Sequence, residues 1–183
     1  MSYAPGYGDV NAPMIGPFTA RHSGAANERC LPTEPSSATY TSANRAFYHP
    51  VVVFSTCVVR RVWWVNGATT TGGATIEVGV YADSGAKPGA KLISGSATQG
   101  TASEVQFVDV TDTVLVAGRY WVAIVSSSAT NTTLLRDSTP SASFDAALIM
   151  EQATASPLPA TATPVEASSA VFYVFGFATT ASP

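Results

Sequence analysis

The sequence contains few charged residues. Only 11% of its 183 residues are Asp, Glu, Lys or Arg, against about 25% in an average soluble domain. A long helix with one solvated face needs more charged positions than this, so the composition disfavours a helical fold. The net charge of −3 provides no basic surface. Because nucleic-acid binding depends on Lys and Arg that neutralise phosphates, we expect no nucleic-acid partner.

Long hydrophobic runs are also missing. Apolar stretches such as residues 51–54 and 171–175 have the length of a β-strand, whereas a membrane-spanning helix needs ~20 apolar residues. The N-terminus lacks the basic start, apolar stretch and cleavage site of a secretory signal. We therefore expect no membrane partner and no export by the general secretory route.

Cysteine and histidine each occur only twice. Cys30 and Cys57 leave two alternatives open, a pair of reduced thiols or a single disulfide. Two cysteines are too few for a four-ligand zinc site, and the acidic residues are scattered among turns, so we predict no metal and no cofactor. A serine hydrolase needs a base beside its nucleophile. His22 and His49 lie in or beside a proline-rich segment without a nucleophile motif, so we predict no catalytic residue and no enzymatic activity.

Two regions differ in composition. Residues 1–47 hold five prolines among Gly, Ser and Asn and show no hydrophobic period, which predicts an extended N-terminal arm without a core of its own. In residues 48–183, short runs rich in Val, Ile, Tyr, Phe and Trp alternate with Gly, Asn, Asp and Pro. Such a pattern is typical of strands separated by turns.

The second region predicts an all-β fold, an antiparallel jelly-roll-like β-sandwich of about eight strands with an extended N-terminal arm. The predicted strands lie near residues 49–56, 58–65, 74–82, 91–96, 103–110, 118–126, 131–136 and 168–178. Only residues 145–152 have the pattern of a short helix. Alternation within 74–82 predicts that Glu77 faces solvent. The predicted core residues are Ile76, Val78, Val80, Val105, Phe107, Tyr120, Val122 and Ile124.

Tryptophans and two-faced apolar strands supply the candidate contact residues. Trp63 and Trp64 are adjacent, so they point to opposite faces of a strand. At most one is expected in the core, and the other requires cover from a loop, the arm or another subunit, or else stacks on a sugar. The runs 119–125 and 171–177 are apolar on both faces, and an exposed second face would mark an interaction site. The predicted interface residues are Tyr3, Tyr7, Phe18, Trp63, Trp64, Trp121 and Phe172.

Four motifs follow one another in the β region: VWWVNG at 62–67, GATIEVGVYAD at 73–83, GAKPGAKL at 85–92 and LVAGRYWVA at 115–123. In this order they resemble the jelly-roll domains of tailed-bacteriophage virion proteins, which include minor tail or baseplate, fibre and capsid-decoration proteins. The resemblance covers about residues 39–136, with 168–178 as a closing strand.

The resemblance implies a non-enzymatic structural subunit of a virion, assembled in the bacterial host cytoplasm. Its implied partners are other virion proteins of the capsid or tail, reached through the arm and the sandwich surfaces. A homo-oligomer is expected from the two-faced strands, and the resemblance makes it a homotrimer. The alternative is a carbohydrate-binding receptor-recognition module that binds a host-surface glycan.

Overall fold

A computed structural model describes residues 14–15, 36–70, 73–130, 132–137, 149–167 and 171–181. Every regular element in these ranges is a β-strand. The strands are β1 (Met14–Ile15), β2 (Ser36–Thr39), β3 (Ala46–Val53), β4 (Cys57–Val65), β5 (Thr75–Asp83), β6 (Pro88–Thr98), β7 (Val105–Leu115), β8 (Gly118–Ser126), β9 (Thr133–Asp137), β10 (Met150–Gln152), β11 (Val165–Glu166), β12 (Phe172–Tyr173) and β13 (Phe175–Ala181).

Two antiparallel sheets pack against each other as a sandwich. The four-stranded sheet has the order β1-β13-β4-β7, and the six-stranded sheet has the order β11-β10-β3-β8-β5-β6. A third, small sheet has the order β12-β9-β2. The predicted all-β antiparallel sandwich is therefore confirmed.

The core between the sheets follows from the alternation of apolar residues. Ile76, Val78 and Val80 of β5 are fully buried, beside Val122 and Ile124 of the neighbouring β8. Burying one such side chain contributes about 1.5–3 kcal/mol to folding. The opposite sheet contributes aromatic side chains, Trp64 from β4 and Phe175 and Phe177 from β13. Burial is thus confirmed for these five residues and for Tyr120.

The predicted burial of Val105 and Phe107 is wrong. Both lie on β7, an edge strand of the four-stranded sheet, and it is Val108 and Val110 that pack against the core. Phe107 is 38% exposed. Because side chains alternate along a strand, choosing the wrong phase by one residue exchanges the two faces.

A second apolar cluster lies on the outer face of the six-stranded sheet. The sheet contributes Tyr48, Tyr81, Trp121, Ala123 and Val125. Met150, Ala155, Leu158 and Ala162 complete the cluster and come from residues 150–162, which we call the covering segment. The second face of β8 is therefore covered by the chain itself, and no other subunit is needed there.

The covering segment replaces the short helix expected at residues 145–152. Residues 150–152 form β10, which pairs antiparallel with Tyr48, Phe47 and Ala46 of β3. Residues 145–148 lie outside the described residues. Extended backbone prevails at β10 because it satisfies the hydrogen-bonding groups along the open edge of β3.

Strand pairing begins before residue 48, the start assigned to the sandwich from the sequence. Ser36 to Thr39 form β2 and pair with β9, and Ala46 and Phe47 already belong to β3. Residues 36–39 and 46–47 of the predicted arm are thus built into the sheets.

The Asn66-Gly67 pair has a packing role rather than the turn role that its sequence suggests. Asn66 is buried and forms a bridge with Leu134. A Cβ at position 67 would collide with Thr133 Oγ1 and Ser37 Oγ. Glycine is therefore required for close approach, since a side chain has no room there.

Candidate interaction surface

Two connections between strands meet at one end of the sandwich. Val53, the last residue of β3, is paired with Gly118, and Cys57, the first residue of β4, is paired with Leu115. The β3–β4 and β7–β8 connections therefore lie side by side. Ala181, at the end of β13, is paired with Cys57 and reaches the same end.

This end of the sandwich carries exposed apolar side chains. Val52, Phe54, Val114 and Val116 are between 48% and 83% exposed, with Phe54 the most exposed. We call these four residues the apolar end. A large exposed apolar patch on a soluble domain usually marks a contact with a partner, and these four residues are the candidate for such a contact.

The four side chains extend around the end of the sandwich from one sheet to the other. Val51 and Val53 point into the core, so Val52 lies on the outer face of the six-stranded sheet. Leu115 points into the core, so Val114 lies on the outer face of the four-stranded sheet. Phe54 and Val116 lie on the connections between the two sheets.

Hydrogen bonds hold the backbone around the apolar end. The Tyr120 hydroxyl donates to the carbonyl oxygen of Val116 at 2.9 Å. Asp83 accepts a hydrogen bond of 2.7 Å from Trp121 Nε1 and pairs with Arg119 at 3.4 Å. The β7–β8 connection is therefore tied to β8, and β8 to the end of β5.

Ion pairs on β4 and β7 line the outer face beside the apolar end. Arg60 pairs with Asp112 at 3.3 Å, and Arg61 pairs with Asp109. All four side chains are well exposed, so the two pairs contribute little to stability. The Arg61 guanidinium lies 6.0 Å from the ring centre of Phe107, the partly exposed aromatic residue on this face.

The three tryptophans named as interface candidates are buried. Trp64 lies in the core between the sheets and donates from Nε1 to Asn66 Oδ1 at 2.9 Å. Trp121 packs beneath the covering segment. Trp63 is 2% exposed, although it lies on the outer face of the four-stranded sheet, paired with Phe107 and Gly176. Trp64 thus lies in the core between the sheets and Trp63 is covered on the opposite face, which agrees with the expectation that at most one of the two lies in the core and the other needs cover.

The structure describes no side chain of the four remaining interface candidates. Tyr3, Tyr7 and Phe18 lie outside the described residues, and for Phe172 only the backbone, in β12, is described. None of the four residues of the apolar end is among the predicted interface residues. The signal for one of them, Val116, was the apolar connection at 115–118, where a polar turn would be expected between two strands.

Burial raises the pKa of two groups near the apolar clusters, Tyr48 and Cys57. The Tyr48 hydroxyl donates to Gln152 Oε1 at 3.2 Å, and burial raises the pKa of Tyr48 to about 12. Burial also raises the pKa of the Cys57 thiol, which is free, at the start of β4. Cys30, its proposed disulfide partner, lies outside the described residues.

His49 lies within β3, three residues after the strand begins, rather than at the entry to it. It is buried, with its ring centre 5.3 Å from that of Phe175. Within the described ranges, no three His, Cys, Asp or Glu side chains are grouped so that they could hold a metal ion. The same ranges contain no helix that is long and apolar enough to span a membrane. Comparison of the chain with protein-family models, curated proteins and solved structures finds no match.

Proposed function

We propose that the protein is a non-enzymatic structural subunit of a tailed-phage virion, of the decoration, fibre or minor tail type. It attaches to other virion proteins through the apolar end and the N-terminal arm. The phage assignment rests on the resemblance of the motifs between residues 62 and 123, and the mode of attachment rests on the structure.

The observation that carries the proposal is the apolar end itself. Most large apolar side chains of the described residues are buried, in one cluster between the sheets and another beneath the covering segment. Of the seven that are exposed, four lie at the apolar end, and the others, Leu92, Phe107 and Val165, lie elsewhere on β6, β7 and β11. Phe54 is nevertheless 83% exposed. Removing apolar surface from water is favourable, so the exposed Phe54 ring is stabilised when a partner covers it. Attachment to a larger assembly accounts for this exposure.

β1, a described segment of the predicted arm, pairs with a strand that reaches the same end. β13 runs toward Ala181 at the apolar end, and β1 pairs with it antiparallel, Met14 with Ala178 and Ile15 with Phe177. The chain therefore enters β1 from the side of the apolar end. This direction of β1 supports the proposal that the arm and the apolar end engage the same partner.

A homo-oligomer remains part of the proposal, but the second face of β8 no longer provides its contact surface. The second face of β8 is covered within the chain, so the apolar end is the surface that copies would bury against one another. Closed cyclic symmetry lets identical chains cover such a patch, and three-fold closure follows from the resemblance. Sedimentation equilibrium at micromolar concentration tests it: a trimer is expected, and a monomer would contradict it.

Attachment is tested with particles purified from a phage whose gene for this chain is deleted. Wild-type protein added to such particles should co-sediment with them, and mass spectrometry of separated heads and tails should find it in one of the two. The double variant Phe54→Ser, Val116→Ser should lose at least about tenfold in affinity, because each side chain contributes roughly 1 kcal/mol or more at the centre of an interface.

The matched control is Val165→Ser, which changes a valine that is 64% exposed on β11, at the edge of the six-stranded sheet. It should bind like wild type. Unchanged binding of the double variant would contradict attachment through the apolar end. If the chain were missing from wild-type particles, the virion assignment would fail.

The alternative, a receptor-recognition module, is favoured by one observation. Phe107 exposes part of its ring beside the Arg61–Asp109 pair, and an aromatic face with polar neighbours can stack on a sugar. A glycan array read with wild type and Phe107→Ala tests it. Binding that disappears in the variant would support this function, and no binding by wild type would exclude it.

A further inference from the structure

Part of the outer face of the four-stranded sheet is covered. Phe175 and Phe177 of β13 point into the core, so Gly176 and Ala178 face outward. Both are nevertheless buried, and so is Trp63 of β4, which is paired with Gly176 on this face. These three outward-facing residues form one buried area, which we call the Trp63 patch.

The neighbouring strand does not account for this burial. Phe107 of β7 is paired with Trp63 and lies on the same outer face, yet it is 38% exposed, whereas Trp63 is 2% exposed. The side chains of Arg61 and Asp109, which pair beside them, are 43% and 76% exposed. The face is therefore open over β7 and closed over the Trp63 patch. A large ring on a sheet face becomes fully buried only when other groups pack on top of it.

Neither described apolar cluster supplies this cover. Trp63 belongs neither to the core between the sheets nor to the cluster beneath the covering segment, which lies on the other sheet. Its Nε1 is buried and has no hydrogen-bond partner among the described residues. An apolar cover fits this observation, because a polar cover would supply an acceptor for the indole N–H.

The segment of residues 16–35 begins beside the Trp63 patch. It joins β1 to β2 and lies outside the described residues. β1 ends at Ile15, which is paired with Phe177. One further residue in the same antiparallel register reaches the row of Gly176, which is also the row of Trp63. The chain that follows β1 therefore starts at the edge of the patch.

This segment is longer than the gap that it must bridge. The hydroxyl oxygen of Ser37 lies where a side chain of Gly67 would be, so β2 starts beside the end of β4. From Ile15 to this point the distance is about 35 Å at most, given two strand spacings and about five residues of strand. Residues 16–35, fully extended, span about 66 Å. The segment therefore has enough spare length to cross the patch.

Two large apolar side chains occur in the segment, Phe18 and Leu31. Phe18 is the one closer to β1. An aromatic ring of this size packs well on an indole, and the contact removes apolar area of both rings from water. We propose that residues 16–35 of the same chain cover the Trp63 patch and that Phe18 packs on Trp63.

This cover does not depend on the virion assignment. It assigns Phe18, an interface candidate from the sequence, to a contact within the chain. Tyr3 and Tyr7, the other two candidates of the arm, are left for contacts with a partner. The outer faces of both sheets are then covered, at least in part, by connecting segments of the same chain.

Hydroxyl-radical labelling read by mass spectrometry tests the proposal, because it reports the exposure of each aromatic residue separately. In wild-type full-length protein, Trp63 should be protected and Phe107 labelled. In Phe18→Ser, labelling of Trp63 should rise at least ~5-fold, as its exposed fraction moves from 2% toward the 38% of Phe107. Trp64 and Trp121 should stay protected, which establishes that the sandwich remains folded.

The matched control is Phe144→Ser, which changes an aromatic residue of a different segment outside the described residues. It should leave Trp63 protected. Loss of protection in Phe144→Ser, or protection that persists in folded Phe18→Ser, would overturn the proposal. Dilution of the wild type by about tenfold tests for a second copy, since a cover from the same chain does not depend on concentration. Labelling of Trp63 that rises on dilution would also contradict the proposal.

Wild-type protein in urea below its unfolding transition provides a second test that needs no variant. A connecting segment that packs on the face of a sheet should open before the sandwich unfolds. Trp63 should therefore become labelled at lower urea than Trp64 and Trp121. Simultaneous labelling of all three would show that the cover belongs to the sandwich itself, and residues 16–35 would not be its source.

Discussion

The backbone N–H of Leu158 donates a 2.8 Å hydrogen bond to Glu77 Oε2, across 81 residues of sequence. Lys91 completes the contact: its Nζ lies 3.4 Å from Glu77 Oε1 and donates to the Leu158 carbonyl at 2.7 Å. These bonds fasten the covering segment to β5 and β6. Glu77 is only 7% exposed, so the expectation that it faces solvent is wrong.

Glu77→Ala should therefore destabilise the protein by about 2–4 kcal/mol, because it leaves a buried N–H unpaired and Lys91 without its counter-charge. Glu77→Gln keeps an acceptor for Leu158 and should cost less, about 1–2 kcal/mol. The measurement is urea unfolding at neutral pH. Glu104→Ala, at an exposed position in the connection before β7, should stay within ~0.5 kcal/mol of wild type. Equal losses of stability in Glu77→Ala and Glu104→Ala would contradict a stabilising role for the contacts of Glu77 with Leu158 and Lys91.

Glu77 shows which part of the structure the sequence could predict. The period-2 pattern of β5 is local, so it correctly placed Ile76, Val78 and Val80 in the core. The partners of Glu77 lie 14 and 81 residues away, and no local pattern connects them. The covering segment escaped prediction for a related reason. Only its β10 residues form a strand, and most of it packs on Trp121 and its neighbours as irregular chain, which has no period to detect.

The candidate surface was predicted less well than the fold. Large aromatic residues were selected because they carry most apolar area, but the same area makes them the first to be buried within the chain. Trp64 and Trp121 followed this rule. The exposed residues are Phe54 and three valines on or beside short connections, and their exposure follows from the pairing of Val53 with Gly118, which sequence alone does not give.

Gly95 on β6 is expected to tolerate no side chain. A Cβ there would lie 2.8 Å from Val108 Cγ1 and 2.9 Å from Val62 Cγ2. Both are branched residues packed in or against the core, so Gly95→Ala should cost about 1–3 kcal/mol through overpacking. Gly118→Ala is the control, because the nearest atom to its Cβ would be 3.7 Å away. Thermal unfolding that ranks Gly118→Ala as the more damaging change would contradict this packing.

Tyr48 should make the protein less stable at alkaline pH. Tyrosine titrates near pH 10 in an unfolded chain, whereas burial raises the pKa of Tyr48 to about 12 in the fold. Above about pH 10 the unfolded state loses this proton first, so the free energy of unfolding falls until the pH reaches about 12. The slope from this residue is at most ~1.4 kcal/mol per pH unit.

Tyr48→Phe isolates this contribution. It should cost ~1 kcal/mol at neutral pH, where it removes the bond to Gln152, and the loss relative to wild type should shrink above about pH 10. Burial also raises the pKa of Tyr81, as does the neighbouring Tyr48, so part of the alkaline loss should persist in the variant. Parallel stability curves for the two proteins between about pH 8 and 11 would contradict the prediction.

Asn66 connects the core to the loop that precedes β7. Its Oδ1 accepts from Trp64 Nε1 at 2.9 Å, and its Nδ2 donates to the Thr101 carbonyl at 2.9 Å and to Gln106 Oε1 at 3.1 Å. Asn66→Ala leaves the indole N–H in the core without this acceptor. It should cost about 2–3 kcal/mol, a loss that does not depend on pH because alanine does not titrate.

Asn66→Asp separates the acceptor role from the donor role. The carboxylate still accepts from Trp64, but at neutral pH it places a buried negative charge against two acceptor oxygens, on Thr101 and Gln106. Burial and these oxygens raise the pKa of the new carboxyl above its unfolded value of about 3.9. When protonated it can donate again, so the stability of this variant relative to Asn66→Ala should be highest near pH 4 and fall as the pH rises. Urea unfolding of both variants between about pH 4 and 7 measures the difference. A constant difference would show that Asn66 does not donate to these oxygens in solution.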